Sequence, residues 1–241
     1  MRLDKYLTQA GVGTRSEVKE YIRKGCVCVD GSVEKHADRK IDENASEITF
    51  QGTNVWFQKF VYYMLNKPAG CVSATQDPRE KTVVDLLCAE GRADLFPVGR
   101  LDKDTEGLLL LTNDGALAHR LLSPRKHVPK QYFVRLAEDL TEDAVRNLEE
   151  GVDIGEEKPT LPSVFEWKDR QAHEAFLTIT EGKFHQVKRM FAAVGNKVLY
   201  LRRVRMGSLV LDERLSPGEY RPLHEDEIKD LCGQHEKYTK K

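Results

Sequence analysis

The sequence has few cysteines and no long apolar run. Its five cysteines are scattered through 241 residues, and an odd number at irregular spacing excludes the disulfide framework of a small secreted protein and favours a reducing compartment. The opening segment MRLDKYLTQAG contains no apolar stretch of signal-peptide length. No segment approaches the roughly 18 apolar residues that a membrane-spanning helix needs. We therefore expect a cytoplasmic protein without a membrane span.

The sequence also lacks the spacing of a zinc site. Cys26 and Cys28 form a CxC pair, but no second close pair completes a set of four ligands. Alternation places both cysteines on one face of a predicted strand, because successive side chains of a strand point to opposite faces. We interpret that face as the one directed toward the core.

Net charge is nearly absent, at −1, yet the charges are unevenly distributed. The segment from Gly182 to Met206 has seven basic residues and no acid, and the segment from His119 to Leu136 has five basic residues and two histidines without an acid. A single basic run is usually a solvated surface. Two runs free of acids favour a positive face for a polyanion.

Residues 1–52 have the pattern of a small separate unit. Apolar residues recur at helical spacing near the start, and Thr14 with Glu17 has the spacing of a capping box that begins a second helix. The segments CVCVD and SVEKH, joined by the turn residues Asp30-Gly31, predict a strand pair, and EITFQ predicts a further strand. Residues 53–59 are weakly patterned and are predicted to be a connector.

Residues 60–232 predict a larger α+β domain. Strands are predicted at FVYYMLN, LFPV, LLLLT, QYFVRL, SVFEW, HEAFLTIT and VLYLRRVRMG, and helices at TVVDLLCA, ALAHRLL, TEDAVRNLEEG, FHQVKRMFAAVG and HEDEIKDLC. Many strands with few crossover helices favour a mixed, mostly antiparallel sheet. Residues 233–241 are predicted to form a flexible tail.

Basic residues line the predicted helices of the first unit. Positions 15, 19 and 23 are spaced by four and share one helical face, a row suited to the phosphates of structured RNA. The order of RLDKYLTQAG and TRSEVKEYIRKGCVCVDG resembles the S4 RNA-binding domain. That resemblance implies a unit of two helices and a small sheet that binds RNA without catalysing a reaction. The RNA contacts predicted in this unit are Arg2, Lys5, Arg15, Lys19, Arg23 and Lys24.

The most informative segment is GRLDKDTEGLLLLTNDG, residues 99–115, in which Asp102, Asp104 and Glu106 precede an apolar strand. A calcium loop is excluded, because Asn113 stands where a bidentate Glu is needed. Aspartates in glycine-containing loops often cap turns, and we interpret Asp104 in this way. A carboxylate on a loop held by a rigid strand is also well placed to act on a polar substrate.

This segment is similar to the active-site motif of the RsuA-type ribosomal RNA pseudouridine synthases, G-R-L-D-x-D-T-x-G-L-L-x-L-T-N-D-G. The resemblance covers essentially the whole chain, including the S4-like unit, and implies an enzyme that isomerises uridine to pseudouridine. The further segments that match, in order, are residues 65–70, 82–87, 121–134, 181–191 and 201–207.

Residue by residue, the resemblance implies that Asp102 is the essential carboxylate, that Tyr132 stacks on the target base and that Lys188 pairs with Asp102. Relatives that act on other RNAs usually have Arg at the Lys188 position, a change that keeps the charge and alters the geometry of the pair. The remaining site residues predicted are the substrate-binding Arg100, Leu101 and Leu201 and the RNA-contacting Arg189, Arg202 and Arg203.

The implied reaction breaks the N1–C1′ bond of uridine, turns the base over and rejoins it through C5. An ionised carboxylate can stabilise positive charge on the sugar, remove a sugar proton or form a transient bond, and all three remain open here. A nearby cation favours the ionised carboxylate, and exclusion of water prevents hydrolysis. The reaction needs no redox partner or energy input, and the sequence has no phosphate-loop or dinucleotide fingerprint, so we expect no cofactor.

The form FHQVKRMF resembles the branch that acts on small-subunit (16S) ribosomal RNA, and the large-subunit (23S) branch is the first alternative. Rivals from other classes are a non-catalytic RNA-binding or ribosome-assembly protein and a nucleosidase that uses Asp102 and Asp104. Every uridine presents the same base, so selection must come from RNA shape, and we expect a monomer acting on a folded or partly assembled small subunit. His119 and His185 lack metal-ligand spacing, so we interpret them as RNA-contacting or structural and expect no metal.

Overall fold

The computed structural model describes residues 1–42, 45–56, 60–90 and 94–233. The chain divides into two compact units, Met1–Phe60 and Val61–Lys241. None of the helices in the described ranges is long and apolar enough to cross a membrane. The predicted tail lies outside the described residues, apart from Gly233.

The first unit packs two helices and a four-stranded antiparallel sheet around one apolar cluster. A capping box starts the second helix as predicted: the Thr14 amide donates to Glu17 Oε2 at 2.8 Å, and the Glu17 amide donates to Thr14 Oγ1 at 3.4 Å. The helices are α1 (Leu3–Gln9) and α2 (Arg15–Arg23), and the strands, in sheet order β2-β1-β3-β4, are β1 (Val27–Val29), β2 (Ser32–Val33), β3 (Ile48–Phe50) and β4 (Thr53–Asn54).

Two local predictions for this unit differ from the structure. Thr53 and Asn54, expected in a connector, form β4 and pair with β3. Cys26 and Cys28 share a face, but both are partly exposed while Val27 and Val29 are buried. The prediction that the cysteine face is the core face was therefore wrong, because the alternating valines bury more apolar area.

The second unit is built on a nine-stranded sheet. Seven of its strands follow the order β13-β5-β7-β11-β8-β10-β9, and the other two, β6 and β12, pair with β7 and β11 respectively. The pairing of β7 with β11 is parallel and the other strand pairs are antiparallel. The prediction of an α+β fold with a mixed, mostly antiparallel sheet is thus confirmed. The strands are β5 (Tyr62–Lys67), β6 (Phe96–Pro97), β7 (Glu106–Thr112), β8 (Lys130–Leu136), β9 (Val164–Asp169), β10 (Glu174–Ile179), β11 (Val198–Met206), β12 (Leu209–Val210) and β13 (Tyr220–Pro222).

Four α-helices in the described part of the second unit accompany this sheet. In two of them a side-chain oxygen of the N-cap residue accepts a hydrogen bond from the first turn. Asp114 accepts from the Leu117 amide at the start of α3, and Thr141 accepts from the Ala144 amide at the start of α4. The helices are α3 (Gly115–Leu122), α4 (Glu142–Glu150), α5 (Gln186–Ala193) and α6 (Glu225–Gly233).

The helix predicted at TVVDLLCA was wrong in type and extent. Only a kinked 3-10 segment forms, over Asp85–Glu90. Val83 is fully buried ahead of it, and its β-branched side chain, followed by that of Val84, disfavours an α-helix at this point.

Strand β7 is apolar on both of its faces and lies between two parts of the core. Leu109 and Leu111 belong to the larger apolar cluster, and Leu108 and Leu110 to the second one. A strand covered on both sides reads as a continuous apolar run, which explains LLLLT. It also gives the loop that precedes β7 a rigid anchor.

We predict that Gly107→Ala strongly destabilises the fold. Gly107 has φ +98° and pairs with Arg203, and a Cβ added there would lie 2.2 Å from the Arg203 carbonyl oxygen and 2.9 Å from its amide nitrogen. Urea unfolding should show a loss of more than about 4 kcal/mol. The matched control is Gly70→Ala, at φ +89° with no atom within 4 Å, which should cost only about 1–2 kcal/mol for the left-handed conformation. Equal losses in the two variants would contradict the close approach of β7 and β11.

Candidate active site

Asp102 lies in the loop between β6 and β7, and its backbone is held more firmly than its side chain. The Thr105 amide donates to the Asp102 carbonyl at 3.1 Å, and the Gly70 amide donates to the Lys103 carbonyl at 2.8 Å. Thr105 is buried, whereas 24% of the Asp102 side chain is exposed. The carboxylate is therefore presented to solvent by a loop whose main chain is fixed.

The main anchor of this loop is Lys67, the last residue of β5. Its side chain is fully buried, and its ammonium group donates to the carbonyls of Pro68 (3.0 Å), Asp102 (3.0 Å), Lys103 (3.2 Å) and Thr105 (2.8 Å). Burial lowers the pKa of Lys67 to about 8, so the group remains protonated at neutral pH. No role was predicted for Lys67, and the available signal was a lysine at the end of an otherwise apolar strand.

Ser73 fixes the residue that precedes the carboxylate. Its hydroxyl donates to the Leu101 carbonyl at 2.9 Å and accepts from the Leu101 amide at 3.0 Å. Both backbone groups of the buried Leu101 are thus satisfied by one side chain. Ser73 was also missed from the sequence, because nothing local marks a serine that bonds a backbone far along the chain.

Two side chains from the α5 region reach the Asp102 carboxylate. Lys188 Nζ lies 3.3 Å from one oxygen, and His185 Nε2 lies 3.5 Å from the other. Lys188 belongs to the first turn of α5, which begins at Gln186, and the positive end of the helix dipole adds to its charge. The structure therefore brings the predicted partners Asp102 and Lys188 together and adds His185 to them.

Asp104 shares the same cation. Lys188 Nζ donates to Asp104 Oδ1 at 2.6 Å, and this hydrogen bond holds the pKa of Asp104 below its usual value against the opposing effect of burial. The Asp104 side chain is 72% exposed. The interpretation of Asp104 as a turn cap is therefore replaced by a role as the second carboxylate partner of Lys188.

Asp102 opens onto a cleft of about 830 Å³. The predicted Arg100, Leu101, Tyr132 and Leu201 all line it, with Arg100 exposed and the other three buried. Tyr132 also belongs to the larger apolar cluster, so its ring has one side in the core and one on the cleft. Other lining residues include Ser73, Leu122, Lys130, Phe184, His185 and Arg203.

Two predicted RNA contacts near the cleft are already engaged within the protein. Arg203 is only 2% exposed, and its Nε donates to the Leu108 carbonyl at 2.8 Å. Because it also lines the cleft, its predicted RNA contact stays a prediction and would have to be made inside the cleft. The side chain points inward because Arg203 alternates with the partly exposed Arg202 and Val204 on a central strand. Arg189 donates to Glu156 and to the carbonyls of Ile154 and Phe184. Arg202 is partly exposed.

In the first unit, Arg15, Lys19 and Arg23 are exposed on one face of α2, and Lys5 is exposed on α1. The other two predicted cations of this unit have acidic partners. Arg2 donates to Asp4 at 2.8 Å and 3.0 Å, and Lys24 lies 2.7 Å from Glu20. The exposed row on α2 is thus the part of this unit with the most accessible positive charge among the described residues.

Family comparisons agree with both units. Residues 61–193 match the profile of the RNA pseudouridylate synthase family, and residues 1–46 match that of the S4 domain. The chain is 51% identical over 231 residues to an uncharacterized RNA pseudouridine synthase of Bacillus subtilis, covering 95% of this chain and 97% of that protein. It is 42% identical over 233 residues to a ribosomal small subunit pseudouridine synthase A of Haemophilus influenzae, covering 96% and 99%.

A solved structure is similar over the same extent. A crystal structure described as a pseudouridylate synthase has a TM-score of 0.68 and 42% sequence identity to this chain, covering 96% of this chain and 99% of its own. The similarity extends through the first unit and the second unit alike.

We predict that Lys67→Met loosens the Asp102 loop. Four carbonyls would lose the ammonium donor, and those of Asp102 and Lys103 would keep only a backbone amide. Since each buried unpaired group costs about 1–3 kcal/mol, urea unfolding should show a loss of about 3 kcal/mol. Hydrogen exchange at the amides of residues 101–105 should accelerate. The control Lys81→Met removes an exposed lysine and should change stability by less than about 0.5 kcal/mol. Unchanged exchange in Lys67→Met would refute the anchoring role.

Proposed function

Since the chain belongs to the RNA pseudouridylate synthase family, we propose that it converts one uridine of small-subunit ribosomal RNA to pseudouridine, with Asp102 as the reacting carboxylate. The observation that carries this proposal is a single cleft lined by both Asp102 and Tyr132, in which the Asp102 carboxylate lies 3.3 Å from Lys188 Nζ. The isomerisation requires a carboxylate, a cation beside it and a surface that retains the base. Asp102, Lys188 and Tyr132 would meet these requirements.

Asp102 acts in its ionised form. Breaking the N1–C1′ bond leaves positive charge on the sugar, and a carboxylate beside C1′ stabilises it, takes up a sugar proton or forms a transient bond with the sugar. Lys188 Nζ, 3.3 Å away, provides the opposite charge beside this carboxylate. The anchoring of the loop by Lys67 keeps the carboxylate in place while the charge on the sugar changes.

Tyr132 and the apolar residues retain the uracil. After bond breakage the ring must turn over without leaving the cleft, and an aromatic side chain stacks on either face of it. Leu101 and Leu201 line the cleft beside Tyr132 and limit the access of water, which would otherwise hydrolyse the sugar cation. A base in a folded RNA must leave its stack to enter such a cleft.

The choice of uridine depends on RNA contacts outside the cleft. The Haemophilus influenzae relative is named for the small ribosomal subunit, and the motif FHQVKRMF favours the same branch for this chain. We expect a folded or partly assembled small subunit in the cytoplasm as the substrate and a monomeric enzyme. The exposed row on α2 and the basic segments 119–135 and 182–206 would read the shape of the RNA through its phosphates.

We predict that Asp102→Asn lowers the rate of pseudouridine formation by about a thousandfold or more, because the substitution keeps the size and removes the charge on which stabilisation depends. RNA affinity, measured by filter binding, should stay within about threefold. The control Asp104→Asn leaves the contact of Lys188 with Asp102, and an exposed ion pair contributes little, so its rate should fall by less than about tenfold. A comparable loss in both variants would show that Asp102 is not the distinct reacting group.

We also predict which RNA is modified. Pseudouridines mapped in both ribosomal RNAs from cells with and without the gene should differ at one site in the small-subunit RNA. A lost site in the large-subunit RNA, with the small-subunit RNA unchanged, would overturn the substrate and leave the reaction class intact. Unchanged maps of both RNAs would point to the non-catalytic alternative.

A further inference from the structure

Two cations of the cleft have no part in the mechanism so far. Lys130 and Tyr132 are two residues apart on β8, so their side chains leave the same face of the sheet. Arg203 of β11 stands directly opposite Tyr132 in the antiparallel register, which places its side chain on that face as well. Both cations line the cleft. We refer to Lys130 and Arg203 as the cationic pair.

The cationic pair lacks an anionic partner. Within the described parts of the chain, no carboxylate forms a salt bridge with either side chain, and the guanidinium Nη2 of Arg203 is buried without a hydrogen-bond acceptor. Arg203 Nε donates to the Leu108 carbonyl at 2.8 Å, and Lys130 Nζ donates to the Val128 carbonyl at 3.0 Å. Each cation therefore keeps donor capacity that the protein does not use.

One carboxylate oxygen of Glu181, an acid that also lines the cleft, is engaged elsewhere in the protein. Glu181 Oε1 accepts from the Leu161 amide and from Gln186 Nε2, both at 2.8 Å. Burial and the charge of Arg203 lower the pKa of Lys130 to about 8, with Glu181 opposing them. Two cations that repel each other, without a salt bridge to a carboxylate among the described residues, form a site that an electron-rich ligand would stabilise.

We propose that the cationic pair stabilises the uracil ring as an anion during the interval in which the ring is detached from the sugar. This inference rests on the proposed function and adds a second charged group to it. Asp102 would stabilise the positive sugar, and Lys130 and Arg203 would stabilise the negative base. Preorganised donors directed at the charge that develops in the transition state are the most effective form of electrostatic catalysis.

The electron count agrees with this assignment. When the N1–C1′ bond breaks, its electron pair stays on the base and is delocalised from N1 onto O2 and O4. Those carbonyl oxygens are the atoms that ammonium and guanidinium donors would contact. After the ring turns, a pair from C5 forms the new bond to C1′, C5 loses its proton and N1 gains one. Nothing is oxidised or reduced, and no co-reactant is needed.

The test measures how far Lys130→Met slows the reaction of uracil, a poor leaving group, and of 5-fluorouracil, a better one. Ribosomal RNA fragments transcribed with uridine or with 5-fluorouridine are incubated with excess enzyme, and the loss of the target nucleoside is followed by mass spectrometry after nuclease digestion. Fluorine withdraws electrons, so the detached base needs less stabilisation. We expect Lys130→Met to slow the loss of uridine by about 100-fold, the effect of removing one donor to a developing anion. The loss of 5-fluorouridine should slow by less than about tenfold.

The controls separate this role from simpler ones. Lys130→Arg keeps a cation and should restore most of the uridine rate, and Lys168→Met removes a lysine that bonds Glu174 at 3.0 Å on the same sheet and should leave both rates unchanged. If thermal melting shows that Lys130→Met does not fold, Lys130→Gln takes its place. It should likewise slow the loss of uridine more than the loss of 5-fluorouridine. If a folded Lys130→Met variant consumed uridine and 5-fluorouridine with equal slowing, the proposal would be overturned. Weaker RNA binding with unchanged single-turnover rates would also overturn it, because that result would indicate a phosphate contact. A wild-type protein that consumes neither base would instead refute the proposed function.

Discussion

The buried ammonium group of Lys67 is the interaction on which the candidate active site depends. Four carbonyl oxygens from two separate segments converge on it, at distances from 2.8 to 3.2 Å. A buried lysine is costly unless its charge is compensated, and here the compensation comes from main-chain dipoles instead of a carboxylate. The carboxylates of Asp102 and Asp104 make no salt bridge with this anchor and are paired with Lys188 instead.

Charge in the cleft is divided into two regions. On the α5 side, Lys188 is shared by Asp102 and Asp104, and the Asp102 carboxylate brings negative charge close to where a sugar would lie. On the β8 and β11 side, Lys130 and Arg203 have no acidic partner among the described residues, so positive charge is in excess. Breaking the bond between a sugar and its base separates charge in the same sense. A site with this polarity favours the separated state.

Local patterns predicted the fold and singled out the loop that places Asp102 on the cleft, and long-range contacts explain most of what they missed. The capping box of Thr14 and Glu17 and the apolar run of β7 are short-range signals, and both appear in the structure as expected. The inward direction of Arg203 depends on a strand 95 residues away, and the bond between Lys188 and Asp104 joins residues 84 apart. Neither can be derived from spacing along the chain. Cys26 and Cys28 were misassigned for a different reason: alternation identifies two faces of a strand, but the choice of the buried face depends on which residues offer more apolar area.

The central claim is that the cleft isomerises uridine while keeping the base in place. The most direct measurement uses ribosomal RNA labelled with tritium at C5 of uridine, in which the release of tritium and the formation of free uracil are followed together. The account predicts that the purified protein releases tritium in proportion to pseudouridine formed, with no free uracil and without added metal. Release of free uracil would identify a nucleosidase, and the absence of tritium release from an assembled small-subunit substrate would contradict the account.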